Sequence, residues 1–104
     1  MMIRFTKENW ERFKTHNKTT TIRTKPLKPG VYNAYGGSRY KPEKLGQIMV
    51  EEPAVTRAAN ELILSDALND GFDSLMELGM VLGRLNPKMT AHDTILYIHK
   101  VKVV

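Results

Sequence analysis

The sequence predicts an α+β domain in which about five or six strands form a small mixed β-barrel with flanking helices. Its last eleven residues, TILYIHKVKVV over 94–104, alternate between two sides of an extended chain, as expected of a strand that closes a barrel. A helix is predicted just before that strand by apolar residues at the spacing of one helix face: Leu75, Leu78, Val81, Leu82 and Leu85. With 104 residues, 41% of them apolar and 26% charged, the chain has the size and composition of one globular domain, residues 1–104.

The first elements are a short strand over 3–5 and a helix over about 7–15. Thr6 has the residue type that caps a helix, because its side-chain oxygen can accept a free backbone N–H of the first turn. Trp10 and Phe13 are spaced to share the buried face of this helix.

A threonine-rich segment, NKTTTIRT over 17–24, predicts the second strand because β-branched residues favour extended structure. Side chains alternate along a strand. Ile22 should therefore face the core, while Thr21 and Arg23 face solvent or a cleft.

Proline and glycine divide the middle of the chain. A turn over 26–30 leads into a strand over 31–35, which the glycines and serine of 36–38 are expected to end. Residues 38–44, SRYKPEK, are expected to form a basic loop, and 46–50 the next strand. Pro53 should interrupt that strand or mark a sheet edge.

Two helices are predicted in the second half. Ser65 is expected to cap a short helix that ends at Asp70 and Gly71, where a glycine can adopt a left-handed conformation. Ser74 followed by Glu77 has the spacing of a capping box and should begin the longer helix, which ends near Leu85. The alternating strand over 94–104 follows.

Positive charge is concentrated in the N-terminal half. Residues 1–50 carry 11 Lys and Arg against three acidic residues, a net charge of +8, whereas residues 51–104 carry a net charge of −3. Lysine and arginine release counterions when they contact phosphates, so this asymmetry favours a polyanionic partner such as RNA.

Several classes of site are not indicated by the sequence. The chain has no cysteine, and His16, His92 and His99 are too far apart in sequence to form a familiar metal pattern, so we expect neither a metal ion nor a cofactor. No stretch has the length of apolar residues that spans a bilayer, and the N-terminus does not resemble a signal peptide. A cytoplasmic protein is therefore expected, and its oligomeric state stays open.

The cluster of Lys18, Thr21 and Arg23 has two interpretations. One is a solvated, threonine-rich strand. The other is a reactive threonine, since a hydroxyl becomes a good nucleophile when a neighbouring base takes its proton. A lysine can be that base only where burial or nearby positive charge lowers its pKa. Lys18 and Thr21 can meet only if Lys18 lies in a turn before the strand, and Asn17 is a residue typical of turns.

The order of these motifs resembles the ASCH domain of the PUA-like superfamily. The resemblance rests on the helix with Trp10 and Phe13, the segment KTTTIR over 18–23, and the segment DALNDGFDSL over 66–75. It extends from about Ile3 to Val103. It implies a PUA-like β-barrel with flanking helices and a role in binding or processing RNA. A bacterial branch of short ASCH proteins hydrolyses the acetyl amide of N4-acetylcytidine with a lysine, a threonine and a glutamate.

Transferred by motif, the resemblance places the catalytic lysine at Lys18 and the threonine at Thr21, followed by Arg23. The glutamate falls on Asp70, whose side chain is shorter by one methylene group. Asn17 is a second departure, because most family members have glycine there. The aspartate at position 70 affects the geometry of proton transfer more than it affects the fold.

Three functions therefore compete. A metal-independent amidohydrolase acting on a modified nucleoside would use Lys18, Thr21 and Asp70. A non-catalytic RNA-binding module would contact phosphates and stack bases with a larger set of residues: Arg23, Lys25, Lys28, Arg39 and Lys41 for phosphates, and Tyr40 or Tyr35 for bases. A protein-interaction domain would use the same fold without nucleic acid.

Overall fold

A computed structural model describes residues 2–38, 40–51, 54–90 and 94–104. The described chain contains six strands, three α-helices and one short 3-10 helix. In order these are β1 (Met2–Arg4), α1 (Lys7–Thr15), β2 (Thr20–Arg23), β3 (Gly30–Gly37), β4 (Pro42–Val50), β5 (Val55–Ala58), the 3-10 helix Ala59–Glu61, α2 (Leu64–Asn69), α3 (Leu75–Leu85) and β6 (Ile95–Val103). No helix within these residues is long and apolar enough to cross a membrane.

The six strands form one mixed sheet in the order β1-β3-β4-β6-β2, with β5 also paired to β6. β1 pairs with β3 in parallel, and the other pairs are antiparallel. β2 pairs along residues 97–100 of β6, while β5 pairs along 95–98, so β2 and β5 lie on opposite edges of β6. The α+β class with a mixed sheet is confirmed. Among the described residues β1 and β2 do not pair, so closure into a barrel stays a prediction.

The helix α1 packs its aromatic residues on one side of the sheet. Thr6 Oγ1 accepts the backbone N–H of Asn9 at 3.1 Å, which confirms the predicted cap. The rings of Phe5, Trp10 and Phe13 lie with their centroids 5.3–5.6 Å apart in tilted and edge-to-face contacts. They extend a core cluster built on buried residues of the sheet, such as Ile48.

The helix α3 covers a second core cluster. Ser74 Oγ accepts the backbone N–H of Glu77 at 3.1 Å, so the predicted N-terminus is confirmed. Leu78 and Leu82 are buried against Phe72 and Leu96. The predicted stripe is wrong at its two ends, because Leu75 and Leu85 remain exposed.

Three other predictions are corrected. The short helix α2 begins at Leu64 after the N-cap residue Ile63, whose backbone N–H donates to the Asp66 carboxylate at 2.9 Å; Ser65 is not the cap. The strand β3 continues through Gly36 to Gly37 instead of ending at 36–38. The strand β4 begins at Pro42, so residues 42–44 of the expected basic loop belong to a strand that pairs with β3.

The glycines of β3 permit this longer hairpin. A Cβ at Gly36 would lie 3.3 Å from the Phe5 carbonyl oxygen, and Gly37 has a φ of +78° at the beginning of the turn. β5 was not predicted, because its four residues are largely exposed and carry no alternating apolar pattern. Pro53 lies outside the described residues.

Candidate active-site cleft

A cleft with a volume of about 770 Å³ opens where the end of β1 approaches β2. Its walls come from the β1–α1 junction, from β2 and the segment after it, from the turn after α2, and from α3. Six residues predicted from the sequence line it together: Lys18, Thr21, Arg23, Lys25, Tyr35 and Asp70.

Lys18 reaches this cleft because the chain turns sharply between α1 and β2. Asn17 has a φ of +51°, a left-handed conformation that asparagine tolerates better than most residues other than glycine. The backbone N–H of Lys18 donates to the Arg12 carbonyl at 3.2 Å, and that of Thr19 donates to the Asn69 carbonyl at 2.7 Å. Lys18 therefore precedes the regular strand, as the reactive-threonine interpretation requires.

Asp70 meets Lys18 from the end of α2. Lys18 Nζ lies 2.5 Å from Asp70 Oδ1 and 3.1 Å from the Asp70 carbonyl oxygen, and the two side chains are only 2% and 6% exposed. The following Gly71 has a φ of +87°, and a Cβ there would lie 2.9 Å from Arg12 Cβ. Only glycine fits this turn without displacing α1, so the turn fixes Asp70 against Lys18.

Burial is the largest influence on the protonation of this pair. It lowers the pKa of Lys18 and raises the pKa of Asp70, because the charged form of each group loses its hydration. The attraction between the two groups opposes both pKa shifts without overcoming them. The positive charge of Arg23 lowers the pKa of Lys18 further. Burial thus shifts the pKa of each group in the direction that favours its uncharged form.

Thr21 is held by Arg23. Thr21 Oγ1 accepts from Arg23 Nε at 3.1 Å, and Arg23 Nη2 donates to the Arg4 carbonyl at 2.7 Å, which links β2 to β1 across the cleft. The guanidinium lies 4.7 Å from the centre of the Phe5 ring. Burial lowers the pKa of Arg23 to about 10. No hydrogen bond within the described residues joins Lys18 Nζ to Thr21 Oγ1.

The remaining predicted residues are not brought into the cleft. Lys28, Tyr40 and Lys41 are exposed and do not line it, and Tyr40 is 92% exposed at the turn between β3 and β4. Arg39 lies outside the described residues. Comparison of the chain with family models, with curated proteins and with solved structures gives no match.

Arg4 and Lys7 also line the cleft and were not predicted to. The only sequence signal for Arg4 is its place between Ile3 and Phe5, both of which are buried, since alternation turns the middle side chain away from the core. Among the described residues no group of three or more histidine and acidic side chains is placed to hold a metal ion.

His99 lies in β6 next to the strand that carries Thr21, and this role was not predicted from the sequence. It is fully buried in β6 opposite Thr21. Its Nε2 accepts the backbone N–H of Leu27 at 2.9 Å, which assigns the ring proton to Nδ1, and Nδ1 lies 3.4 Å from the Thr21 carbonyl oxygen. His99 thus joins the strand that carries Thr21 to the segment that forms one wall of the cleft.

We expect this histidine to make stability depend on pH. Burial lowers the pKa of His99, and the charge of Arg23 lowers it further. Below about pH 6.5 His99 binds a proton in the unfolded chain, whereas in the folded chain its lowered pKa keeps it neutral to a lower pH. The free energy of unfolding should therefore fall as the pH decreases from about 6.5. Urea unfolding at several pH values, for the wild type and His99→Gln, measures this difference. Equal pH slopes for the two proteins would contradict it.

Proposed function

We propose that this chain is an ASCH-like amidohydrolase that removes the acetyl group from N4-acetylcytidine. Its fold would be a PUA-like barrel, and its active site the cleft between the end of β1 and β2. One observation carries the proposal: the buried contact of Lys18 with Asp70 lies in the same cleft as Thr21. A buried lysine with a lowered pKa can activate a threonine hydroxyl of the same cleft as a nucleophile.

The first step of the proposed mechanism is attack by Thr21. Neutral Lys18 takes the proton of the Thr21 hydroxyl, directly or through a water in the cleft, and Oγ1 bonds to the acetyl carbonyl carbon. Arg23 Nε, 3.1 Å from Oγ1, favours the developing alkoxide because a positively charged donor stabilises negative charge. The carbonyl oxygen becomes an oxyanion.

The second step releases cytidine and then acetate. When the oxyanion collapses, the bond between the carbonyl carbon and N4 breaks, and protonated Asp70 supplies the proton that N4 needs to leave as an amine. A water molecule then gives a proton to the Asp70 carboxylate and adds to the acetyl-Thr21 ester. Acetic acid departs as Oγ1 takes back the proton held by Lys18, and it ionises to acetate in solvent. Every proton is thus returned, and no cofactor takes part.

The shorter side chain of Asp70 is compatible with the first part of this mechanism. The turn at Gly71 brings Asp70 Oδ1 within 2.5 Å of Lys18 Nζ, so aspartate reaches the lysine without the additional methylene of glutamate. Asn17 is also compatible with the family pattern, because its φ of +51° is a conformation that glycine adopts readily.

The direct test is release of acetate from N4-acetylcytidine by the purified protein at high enzyme concentration. Cytidine and acetate should form in equal amounts, at a rate that rises with pH as the Lys18 amine loses its proton and falls again as Asp70 loses its own. N-acetylated amides lacking the nucleoside should be poor substrates. Absence of acetate release would remove the enzymatic function and leave RNA binding as the function to examine.

RNA binding without catalysis is the second candidate, and it rests on exposed side chains. Lys28 and Lys41 are exposed cations, and Tyr40 offers an almost fully exposed ring. If these residues contact RNA, Lys28→Ala/Lys41→Ala should weaken binding. The dependence of log K on log salt should also become shallower, by about one unit of slope for each phosphate that the variant no longer neutralises. Filter binding to a short single-stranded RNA at several salt concentrations measures both. Unchanged affinity and slope would exclude this surface.

A further inference from the structure

Three cations line the mouth of the cleft without a carboxylate partner. Arg4, Lys7 and Lys25 all belong to its lining, and none forms an ion pair within 4.0 Å with any acidic residue that the structure describes. Arg4 Nη2 donates to the Ser38 carbonyl at 3.2 Å, which leaves most of the guanidinium N–H groups available.

The cleft as a whole is strongly positive. Among the described residues that line it, Asp70 is the one acidic residue, and it is already paired with Lys18. No other carboxylate in this lining is therefore available to balance the positive charge of Arg23. A neutral nucleoside would not compensate this excess, whereas a ligand carrying phosphate would.

The three cations are connected to the reacting residues through Arg23. The carbonyl of Arg4 accepts from Arg23, and Lys25 follows Arg23 by two residues in the chain. Lys7 follows Phe5, whose ring lies against the Arg23 guanidinium, also by two residues. Arg23 thus links Thr21 to Arg4 and lies close in the chain to Lys25, whereas Lys18 contacts Asp70 at the turn after α2.

The charge and the volume of the cleft suit a nucleotide. In a nucleotide the base and the phosphate are attached to different positions of the ribose, so a base amide at Thr21 leaves the phosphate some distance away. A volume of about 770 Å³ lies within the range of small-ligand sites and can hold one base, one ribose and one phosphate. Arginine and lysine are the side chains that proteins use for phosphate.

We propose that Arg4, Lys7 and Lys25 form a phosphate subsite at the mouth of the cleft, and that the substrate is a phosphorylated N4-acylated cytidine rather than the free nucleoside. This inference rests on the proposed function, and it adds a class of substrate that the resemblance does not imply. The 5′- and 3′-monophosphates share the required chemistry and are distinguished by the experiment.

The test compares kcat/KM for N4-acetylcytidine with kcat/KM for its 5′- and 3′-monophosphates. One monophosphate should exceed the nucleoside by about tenfold or more, as expected for two or three charge-assisted contacts. The triple variant Arg4→Gln/Lys7→Gln/Lys25→Gln should lose this preference and keep the nucleoside value. Lys102→Gln removes an exposed cation outside the cleft and should keep the preference.

Binding separates a failure of the subsite from a failure of catalysis. Equal kcat/KM values for nucleoside and monophosphates, or a preference that survives in the triple variant, would overturn the subsite and leave the amidohydrolase standing. If no substrate releases acetate, titration with cytidine 5′- and 3′-monophosphate and with cytidine decides the question. Tighter binding of a monophosphate, abolished in the triple variant, supports the subsite alone. Equal binding of all three ligands overturns it.

Discussion

Replacing Lys18 by methionine is expected to lower the free energy of unfolding by about 3–5 kcal/mol at neutral pH, because it leaves the Asp70 carboxyl group buried without its partner. Lys18 Nζ and Asp70 Oδ1 lie 2.5 Å apart, and both side chains are almost completely buried. A loss of this size is a large fraction of the total stability of a small domain. Urea unfolding measures it, and Lys102→Met, at an exposed position, should change stability by no more than about 0.5 kcal/mol.

The double variant Lys18→Met/Asp70→Leu should recover most of that loss, since an apolar pair of similar volume avoids the cost of burying two ionisable groups. If the double variant is destabilised by the sum of its two single variants, the residues are not coupled and the pair is not the element that holds the turn after α2 in place. An activity assay separates the structural role of the pair from its catalytic role, because the double variant should be stable and inactive.

The loss in Lys18→Met should itself depend on pH. Burial raises the pKa of Asp70, and in the variant the lysine no longer lowers it. Arg23 and Thr20 remain as the groups that lower this pKa. Between the ordinary pKa of aspartate and this raised value the folded state binds more protons than the unfolded state, so the stability of the variant increases as the pH falls. The difference from the wild type should therefore be largest at neutral pH and smaller near pH 4.

The elements that the sequence predicts best are those whose ends are determined locally. Thr6 and Ser74 cap their helices through a hydroxyl three residues before the N–H it accepts, so each signal lies within one turn of chain. The beginning of α2 could not be assigned in the same way, because its N-cap residue is Ile63, which has no side-chain oxygen to accept a backbone N–H. The contact comes instead from Asp66 within the helix, whose carboxylate accepts the Ile63 N–H.

The central contact of the site could be predicted only in part. The residue types of Lys18, Thr21 and Asp70 pointed to one cleft, and the turn at Asn17 that this cleft requires is present. The hydrogen bond from Arg23 to Thr21 spans one strand period and was not predicted, because regular alternation does not reveal which side chains bend toward each other. His99 shows the same limit, since its burial depends on the segment around Leu27, which is distant in sequence.

The cations at the mouth of the cleft show what charge composition can and cannot indicate. The net charge of +8 in residues 1–50 predicted a positive surface, and a basic cleft is present. Its members, however, include Arg4 at the end of β1 and Lys7 at the beginning of α1, both well before β2 in the chain. They reach the cleft because β1 and β2 form the two ends of the sheet and approach each other through Arg23.

Thr21→Val is expected to reduce kcat for N4-acetylcytidine by about a thousandfold or more, because it removes the nucleophilic oxygen and keeps the branched shape of the side chain. Thr21 is buried, and its methyl group and β-branching suit the strand, so valine should preserve the fold. The change leaves Arg23 Nε without its acceptor, at a cost of about 1 kcal/mol that water entering the cleft can reduce.

Thr21→Ser is the matched control, since it keeps the hydroxyl and removes only the methyl group. It should retain measurable turnover, and mass spectrometry of the wild type with excess substrate should detect an acetyl group on Thr21 that is absent from Thr21→Val. Both variants must first unfold at urea concentrations close to that of the wild type, so that a loss of rate reports on chemistry. Should Thr21→Val hydrolyse the amide as fast as the wild type, Thr21 is not the nucleophile. Lys18 and Asp70 would then have to activate a water molecule directly, and the buried pair would still be the chemical centre of the cleft.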